Sequence, residues 1–421
     1  MVTDIPADTD PRELDRADPL ARFRAQFAHD DDDAIYLDGN SLGRPPHRVR
    51  DAIMRVVDQE WRHELIRAWN HWIDLPHKVG DDLASSMLGA RPGEVLIWDS
   101  TSVNLYKLAS AVAQAAPKTR TVIVTDDDNF PTDQYILQGV AEQHNMTVRT
   151  IHSDIDHGVD PAALAAAVGK DTALVCLSHV AYRSGAIADM TAITEMVHAS
   201  GALMLWDLCH SVGSVPVDLT ASGADLAVGC TYKHLNAGPG APAFLYVRQE
   251  LQSQLRQPIW GWFSQTNQFD MSGDYNPLPG VGGFAVGTPG IMGVAAVEAA
   301  VELVSEAGID AIRQKSLRLN AYASALVAAE LTALGFTLAS PADLEKRGGH
   351  LTVHHPQAWQ IGQAMHGRYV IGDYREPDRI RLGFAPLYNS YSDIRSAVSV
   401  MADIVAKGEQ DRFDPTPGRV R

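Results

Sequence analysis

Short apolar runs that alternate with segments of helical length are the feature that most constrains the fold. We predict seven strands from these runs: Glu94 to Trp98, Thr121 to Thr125, Val148 to Ile151, Ala173 to Leu177, Leu203 to Trp206, Asp225 to Val228 and Ala243 to Val247. The segments between them predict helices at Asn104 to Ala116, Pro131 to His144, Pro161 to Val168 and Met190 to Ser200. Strands that are apolar on both faces and alternate with helices indicate an α/β fold, with a mainly parallel central sheet flanked by helices. The seventh strand is predicted to be antiparallel, because Gly238-Pro239-Gly240 leaves no room for a crossover helix.

The chain changes character after Gly287. Two Ala-rich helical patterns, Ile291 to Glu306 and Ile309 to Leu334, lead into short predicted strands at Leu351 to His354, Tyr369 to Asp373 and Ile380 to Leu382. This region predicts a smaller α+β C-terminal domain. We therefore expect three parts: residues 1–75 as an N-terminal arm that contributes to the small domain, 76–290 as the large α/β domain, and 291–421 as the small domain.

The charge balance and the cysteines restrict the class of protein. Lys and Arg number 35 against 52 Asp and Glu, a formal net charge of −17. That charge repels phosphate backbones and anionic lipid, so we expect no nucleic acid and no membrane partner. Three cysteines cannot build a disulfide framework, and residues 1–20 carry no apolar targeting segment, so we expect a cytoplasmic protein. Asp30 to Asp33 are expected to form a solvated loop, and no metal site is predicted.

Polar side chains follow several of the predicted strands at the end where ligands of a parallel sheet collect. Thr101 and Ser102 begin a helix, where free N–H groups favour a phosphate. Phe130 lies on a turn before the next helix, Asp207 directly follows a buried strand, and Lys233 follows the next. Each residue alone also fits an ordinary structural role: an N-cap, a hydrophobic staple, or an Asp–Lys ion pair.

Pyridoxal phosphate (PLP) is a cofactor that uses all of these groups together. It needs a lysine for a Schiff base, a carboxylate at its ring nitrogen, an aromatic platform, and hydroxyl and N–H groups for its phosphate. Lys233, Asp207, Phe130 and Ser102 fit these roles in that order. The combination, rather than any one residue, predicts a PLP enzyme.

Competing motifs are poor matches. The sequence contains no Gly-x-Gly-x-x-Gly and no Gly-x-x-x-x-Gly-Lys-Ser/Thr, which disfavours dinucleotide and P-loop sites. The nearest approach to a serine nucleophile elbow, Cys209-His210-Ser211-Val212-Gly213, lacks its first glycine. The histidines near His354 have no helical His-Glu-x-x-His spacing, so they are not predicted to bind a metal.

Several longer motifs resemble those of the kynureninase family in its bacterial form. Members of this family are PLP enzymes of fold type I and are related to class V aminotransferases. The resemblance covers most of residues 36–400. Its motifs are Tyr36-Leu37-Asp38-Gly39-Asn40-Ser41-Leu42-Gly43, Asn129-Phe130-Pro131-Thr132-Asp133, Leu177-Ser178-His179-Val180, Trp206-Asp207-Leu208-Cys209-His210-Ser211, Thr231-Tyr232-Lys233-His234-Leu235-Asn236-Ala237-Gly238, Gly261-Trp262-Phe263 and Pro386-Leu387-Tyr388-Asn389-Ser390.

This resemblance assigns roles to the cofactor site. It implies that Lys233 forms the Schiff base, that Asp207 pairs with the pyridine nitrogen and that Phe130 stacks on the ring. The other residues implied to line the cofactor are Thr101, Ser102, Asp133, Ser178, His210 and Tyr232. Trp262 and Thr288 are implied to reach the phosphate from a second subunit, which makes the protein a homodimer with its active site at the interface.

The resemblance also implies the reaction: hydrolysis of L-kynurenine to anthranilate and L-alanine in tryptophan degradation and NAD biosynthesis, with 3-hydroxykynurenine as a possible second substrate. Arg381 resembles the arginine that binds the substrate carboxylate, although Arg375 and Arg379 are close in sequence. The candidates for holding the aryl ring are Trp69, Trp72, Trp262 and Phe263, and Tyr232 is a proton donor. Gly287-Thr288 departs from animal and fungal members and favours L-kynurenine.

Two other functions remain open from sequence. A cysteine desulfurase or an aminotransferase would keep the cofactor and change the reaction. A desulfurase needs a mobile nucleophilic cysteine, yet Cys176, Cys209 and Cys230 all lie in or beside predicted strands. A non-catalytic binding protein would keep only the fold, and substitution of Lys233 would then leave its natural activity unchanged.

Overall fold

The structure is a computed structural model that describes residues 5–29 and 34–418. Its strands are β1 (Ile35–Tyr36), β2 (Val95–Ile97), β3 (Val122–Asp126), β4 (Thr147–Ile151), β5 (Thr172–Ser178), β6 (Leu203–Asp207), β7 (Leu226–Gly229), β8 (Phe244–Val247), β9 (Thr337–Leu338), β10 (His350–His354), β11 (Val370–Ile371), β12 (Asp373–Arg375) and β13 (Arg379–Gly383). Its helices are α1 (Pro11–Arg16), α2 (His47–Arg55), α3 (Trp69–Trp72), α4 (Leu75–Leu83), α5 (Thr101–Ala115), α6 (Pro131–Gln143), α7 (Pro161–Ala167), α8 (Met190–Ser200), α9 (Ile291–Ala307), α10 (Ile309–Leu326), α11 (Ala358–His366) and α12 (Tyr391–Lys407). The loop expected at Asp30 to Asp33 lies outside the described residues.

The large sheet contains all seven strands predicted between residues 94 and 247. Its strand order is β2-β8-β7-β6-β5-β3-β4. The neighbours from β7 to β4 pair in parallel, whereas β8 is antiparallel to both β7 and β2. The structure therefore confirms the α/β fold, the mainly parallel sheet and the antiparallel entry of the last strand.

Alternate residues of the central strands enter two separate hydrophobic clusters. On β5, Val175 and Leu177 join the cluster under α8 and α9, while Leu174 and Cys176 join the cluster under α5 and α6. This alternation follows from the two-residue period of a strand. The sheet is thus covered by helices on both faces, and its polar loops are left at the strand ends.

The C-terminal region forms a second layer with its own core. Strands β12, β13, β10 and β9 make an antiparallel sheet in that order, covered by α10, α11 and α12. The N-terminal segment contacts both parts: Leu37 packs into this C-terminal core, whereas Phe23 and Phe27 pack into the core of the large sheet. The domain boundaries at residues 75 and 290 stay predictions.

The prediction of one continuous strand at Tyr369 to Asp373 is wrong. The structure divides it into β11, which pairs with β1, and β12, which pairs with β13. Gly372 separates them, and a Cβ there would lie 3.1 Å from the Arg381 carbonyl oxygen. A side chain there would be tightly packed against the neighbouring backbone, and the chain changes sheets at this point.

Candidate active site

Lys233 lies in the loop after β7, at the carboxyl ends of the parallel strands, and is largely buried. Its Nζ is 3.0 Å from His210 Nε2. The same Nζ lies 5.7 Å from the centre of the Phe130 ring and 6.0 Å from that of Tyr232. The structure therefore brings together a buried amine, an imidazole and two aromatic rings that are separated by up to a hundred residues of sequence.

Two buried carboxyl groups, Asp133 and Asp207, lie beside this amine. Asp207 ends β6 and accepts a 2.7 Å hydrogen bond from the Cys209 backbone N–H. Burial, followed by the charge of Asp207 and a hydrogen bond with it, raises the pKa of Asp133 well above its usual value. The raised pKa favours the protonated form of Asp133 beside Asp207.

Asn129 is a site residue that sequence reasoning did not select. It is buried and accepts a 2.7 Å hydrogen bond from the Ser178 hydroxyl, while its Nδ2 donates to Thr125 Oγ1 at 3.2 Å. Ser178 ends β5 and is the register partner of Asp207 on β6. Asn129 directly precedes Phe130, and this position beside a predicted site residue is the one sequence feature that could have pointed to it. The sequence does not show that the Asn129 amide orients Ser178.

The N-terminus of α5 offers an anion site near the same strand ends. Ser100 caps the helix by accepting from the Val103 backbone N–H, and Thr101 and Ser102 form its first turn. Thr101 Oγ1 lies 3.9 Å from Cys209 Sγ. Thr101 and Tyr232 line a cavity of about 470 Å³, and Thr288 lines it as well. Hydroxyl groups and a helix N-terminus at an open cavity fit a phosphate.

Arg381 is buried on β13, where four hydrogen bonds join it to three residues. Its Nε and Nη2 bind the two carboxylate oxygens of Asp373 at 2.9 and 2.5 Å, its Nη1 donates to the Tyr182 carbonyl at 2.6 Å and its Nη2 donates to Ser41 Oγ at 2.7 Å. Burial alone would raise the pKa of Asp373, but Arg381 and Arg375 lower it. The nearby Asp38 is affected in the opposite direction, because burial and the charge of Asp373 raise its pKa to about 7.

The two other arginines that were close in sequence differ in their surroundings. Arg375 shares Asp373 and Ser41 with Arg381, at 2.6 and 3.3 Å. Arg379 instead binds Asp156 at 2.8 and 2.9 Å and also contacts Asp378. Sequence could not show the role of Asp373, because its pairing with Arg381 depends on the register of β12 and β13.

The predicted aryl-binding tryptophans form a separate aromatic group. Trp69 lies 5.6 Å from Trp72 and 5.7 Å from Phe263, and Phe263 lies 5.4 Å from Trp262, all measured between ring centres. Trp72 is buried and donates a 2.6 Å hydrogen bond to Glu60. Within the described part of the chain, no ring contact or hydrogen bond joins this group to Lys233.

All three cysteines, Cys176, Cys209 and Cys230, are free thiols and buried. Burial raises the pKa of Cys176, and none of the three lies on a mobile exposed loop of the kind that a desulfurase requires. Across residues 5–29 and 34–418, no group of three or more His, Cys, Asp or Glu side chains is placed to hold a metal ion. No helix in the same ranges is long and apolar enough to cross a membrane.

The donor set fits PLP. A buried lysine amine stands beside an aromatic ring, and two buried carboxyl groups lie near it, which is the type of group that a protonated ring nitrogen needs as a partner. Asp133 Oδ2 and His210 Nδ1 are buried polar atoms without a hydrogen-bond partner among the described residues, as expected for a site built around a further polar group.

Comparison with solved structures shows which proteins share this fold. A cysteine desulfurase from Thermococcus onnurineus NA1, solved without cofactor, matches with a TM-score of 0.78 at 19% identity, over 96% of this chain and 100% of that chain. A C-DES variant with glycine covalently linked to its PLP cofactor also matches with a TM-score of 0.78 at 19% identity, over 90% of this chain and 99% of that chain. These matches show the fold that the chain shares with those proteins.

Sequence relatives then identify the family. A model of the kynureninase C-terminal domain matches residues 312–401. Kynureninase from Pseudomonas fluorescens is 42% identical over 93% of this chain and 94% of that protein, and kynureninase from Burkholderia pseudomallei (strain K96243) is 43% identical with the same coverage. The chain belongs to the kynureninase family. It is a PLP-dependent hydrolase that cleaves a carbon–carbon bond, which confirms the cofactor and the reaction class expected from sequence.

Proposed function

We propose that Lys233 and the residues around it, His210, Phe130, Tyr232 and Asp207, form the catalytic centre of this hydrolase, and we call them the Lys233 cluster. The proposed substrate is L-kynurenine, and the products are anthranilate and L-alanine. The observation that supports it most strongly is the position of the Lys233 amine, 3.0 Å from His210 and beside the Phe130 ring. In this proposal Lys233 binds the cofactor covalently, Asp207 pairs with its ring nitrogen and Phe130 stacks on its face. Thr101, Ser102 and Ser178 hold its polar groups, and His210 orients the Lys233 amine.

When bound, PLP supplies an electron sink that stabilises a carbanion on the substrate. Lys233 then removes and returns the proton at the substrate Cα, because its amine is placed among groups that hold it at one position. Water adds to the substrate carbonyl carbon and supplies the hydroxyl of the carboxyl group in anthranilate, and Tyr232 donates a proton to Cβ as the carbon–carbon bond breaks. Burial is the main cause that raises the pKa of the Tyr232 hydroxyl, so it keeps its proton at neutral pH and is able to donate.

Arg381 is proposed to bind the substrate α-carboxylate through its planar guanidinium. We expect Arg381→Lys to raise KM by about 10-fold or more, because lysine keeps a positive charge beside Asp373 but lacks the planar guanidinium that pairs with a carboxylate. Steady-state kinetics on L-kynurenine measure the effect. Arg379→Lys is the matched control, since Arg379 binds Asp156 instead. A KM that rises only in the Arg379 variant would contradict the proposal, because it would indicate that the substrate carboxylate binds Arg379 and not Arg381.

The active form is proposed to be a homodimer in which Trp262 and Thr288 reach the phosphate bound by the partner subunit, so that the cavity lined by Thr101, Tyr232 and Thr288 lies at the proposed subunit interface. Trp260, Trp262, Phe269 and Met271 are all more than 40% exposed, and apolar side chains clustered in one segment of the chain fit a subunit interface. Sedimentation of the holoenzyme tests this, and a monomer with full activity would exclude it.

The free buried cysteines support the proposal that the enzyme works in the cytoplasm.

The substrate is tested by mixing purified holoenzyme with L-kynurenine and following anthranilate fluorescence. We expect steady anthranilate production and a lower kcat/KM for 3-hydroxykynurenine, because Gly287-Thr288 favours the unsubstituted ring. Cysteine is the control substrate, and release of sulfide from it would instead support a desulfurase. Protein that binds PLP but forms neither product contradicts the proposed function.

A further inference from the structure

Tyr182 lies in the loop between β5 and α8 and contacts two parts of the site at once. Its ring centre is 5.4 Å from that of Phe130, and the two rings are perpendicular. Its backbone carbonyl accepts the 2.6 Å hydrogen bond from Arg381 Nη1. Sequence reasoning did not select Tyr182, and none of the roles proposed above uses its side chain.

The Phe130 ring has little other packing that could hold its orientation. Phe130 is 39% exposed and belongs to none of the hydrophobic clusters formed by the described residues. No other aromatic ring in that part of the chain contacts it, and the Lys233 amine lies 5.7 Å from its centre. Because an edge-to-face pair has a preferred orientation, the Tyr182 ring holds Phe130 at a defined angle.

The Tyr182 ring is itself held by the next residue, Arg183. Tyr182 is buried, and the guanidinium carbon of Arg183 lies 4.9 Å from its ring centre. Arg183 Nη1 also pairs with the buried carboxylate of Asp128, two residues before Phe130. The turn that carries Phe130 and the loop that carries Tyr182 are therefore joined twice, once by the rings and once by the ion pair.

The same loop is anchored to the sheet that carries Arg381. Thr352 Oγ1 donates a 2.5 Å hydrogen bond to the Arg183 carbonyl. Thr352 lies on β10 and is the register partner of Arg381 on β13. Two consecutive carbonyls, those of Tyr182 and Arg183, thus accept hydrogen bonds from two paired residues of the C-terminal sheet. Tyr182 therefore contacts an aromatic ring with its side chain and a guanidinium with its backbone.

We propose that Tyr182 is a positioning residue that sets the separation between the Phe130 ring and the Arg381 guanidinium. This inference rests on the proposed roles of Phe130, which stacks on the cofactor, and of Arg381, which binds the substrate carboxylate. A substrate held at both points is aligned with the Lys233 amine when their separation is fixed, and a misplacement of about 1 Å costs on the order of 10²-fold in rate. The ring carries this role, because none of the contacts described involves the Tyr182 hydroxyl.

Two substitutions of Tyr182 in the holoenzyme test the role of the ring. We expect Tyr182→Leu to lower kcat/KM for L-kynurenine by about 30-fold or more. It should also weaken the visible circular dichroism of the bound cofactor, which reports the orientation of the cofactor and needs no substrate. Tyr182→Phe keeps the ring, so its kcat/KM should stay within about 3-fold of wild type and its dichroism should be unchanged.

A double variant shows whether Tyr182 acts through Phe130. The dichroism of Phe130→Leu/Tyr182→Leu should equal that of Phe130→Leu alone, because the second substitution then has no ring to release. Tyr322→Leu is the matched control, a buried tyrosine whose ring contacts Tyr391 edge to face in the C-terminal core. It should lower the free energy of unfolding and leave kcat/KM and the dichroism unchanged.

If Tyr182→Leu does not fold, Tyr182→Met replaces it with the same expected results, since methionine fills the space without a ring. The inference is overturned if the variant without a ring keeps the wild-type kcat/KM and dichroism, or if Tyr182→Phe loses as much as Tyr182→Leu. Additive losses of dichroism in the double variant would overturn it as well. A wild type that binds the cofactor but is inactive would instead contradict the proposed function, and the dichroism would still test Tyr182.

Discussion

Lys233→Ala is expected to abolish anthranilate formation, with a loss in kcat of about 10⁴-fold or more, because one amine both binds the cofactor and moves the substrate proton. Borohydride treatment followed by peptide mass mapping provides a second readout. In the wild-type holoenzyme the reduced cofactor adduct should appear on the peptide containing Lys233, and in the variant it should be absent. The side chain contacts His210 and Phe130, so its removal changes the site and not the hydrophobic core.

The matched control for this variant is Lys315→Met. Lys315 is also buried, but it binds Asp18 at 2.6 Å and the Pro386 carbonyl at 2.5 Å, in contacts that do not involve the Lys233 cluster. Breaking that buried pair should lower the free energy of unfolding by about 3 kcal/mol or more. The protein that remains folded should keep its kcat and its borohydride adduct. Activity retained by Lys233→Ala, or an adduct found on another lysine, would contradict the proposed centre.

The large sheet was predictable because each strand carries its own signal. Strands such as β5 and β6 are apolar on both faces and lie between helical patterns, so local sequence determined their positions to within one or two residues. The boundary between β11 and β12 was not predictable. It depends on the close approach of Gly372 to the Arg381 backbone, which is a contact between elements that no local pattern records.

The site residues also divide into those that local sequence indicates and those that depend on contacts between distant elements. Asp207 and Lys233 were visible because each directly follows an apolar strand, and position at a strand end is a local property. The interaction of Asp133 with Asp207, the Asp373 partner of Arg381 and the contact between the His210 and His350 rings were not visible. Each joins residues that are 8 to 140 positions apart, and each depends on burial, which sequence gives only on average.

The second large effect is expected at Asp207, and it should be very different from the effect at its neighbour Asp133. Asp207→Asn removes the negative charge proposed to hold the cofactor ring nitrogen protonated, so we expect kcat to fall by about 10³-fold. The neighbouring carboxyl cannot replace that charge without losing its own proton in a buried site. Anthranilate fluorescence gives the rate, and the absorbance spectrum of bound cofactor shows whether the ring nitrogen has changed its protonation.

Asp133→Asn is the matched control, because the amide resembles the protonated carboxyl that the structure indicates there: it still donates a hydrogen bond to Asp207 and carries no charge. Its kcat should fall by less than about 10-fold.

The folded protein holds a proton on Asp133 that the unfolded chain releases above its ordinary pKa of 3.8. That proton therefore contributes stability at low pH, and the contribution is lost as pH rises toward the raised pKa of the folded state. Over that window the unfolding free energy of wild type should decline by about 1.4 kcal/mol per pH unit relative to Asp133→Asn in urea titrations. Equal losses of kcat in the two variants, or parallel stability profiles, would mean that Asp133 is ionised in the folded protein.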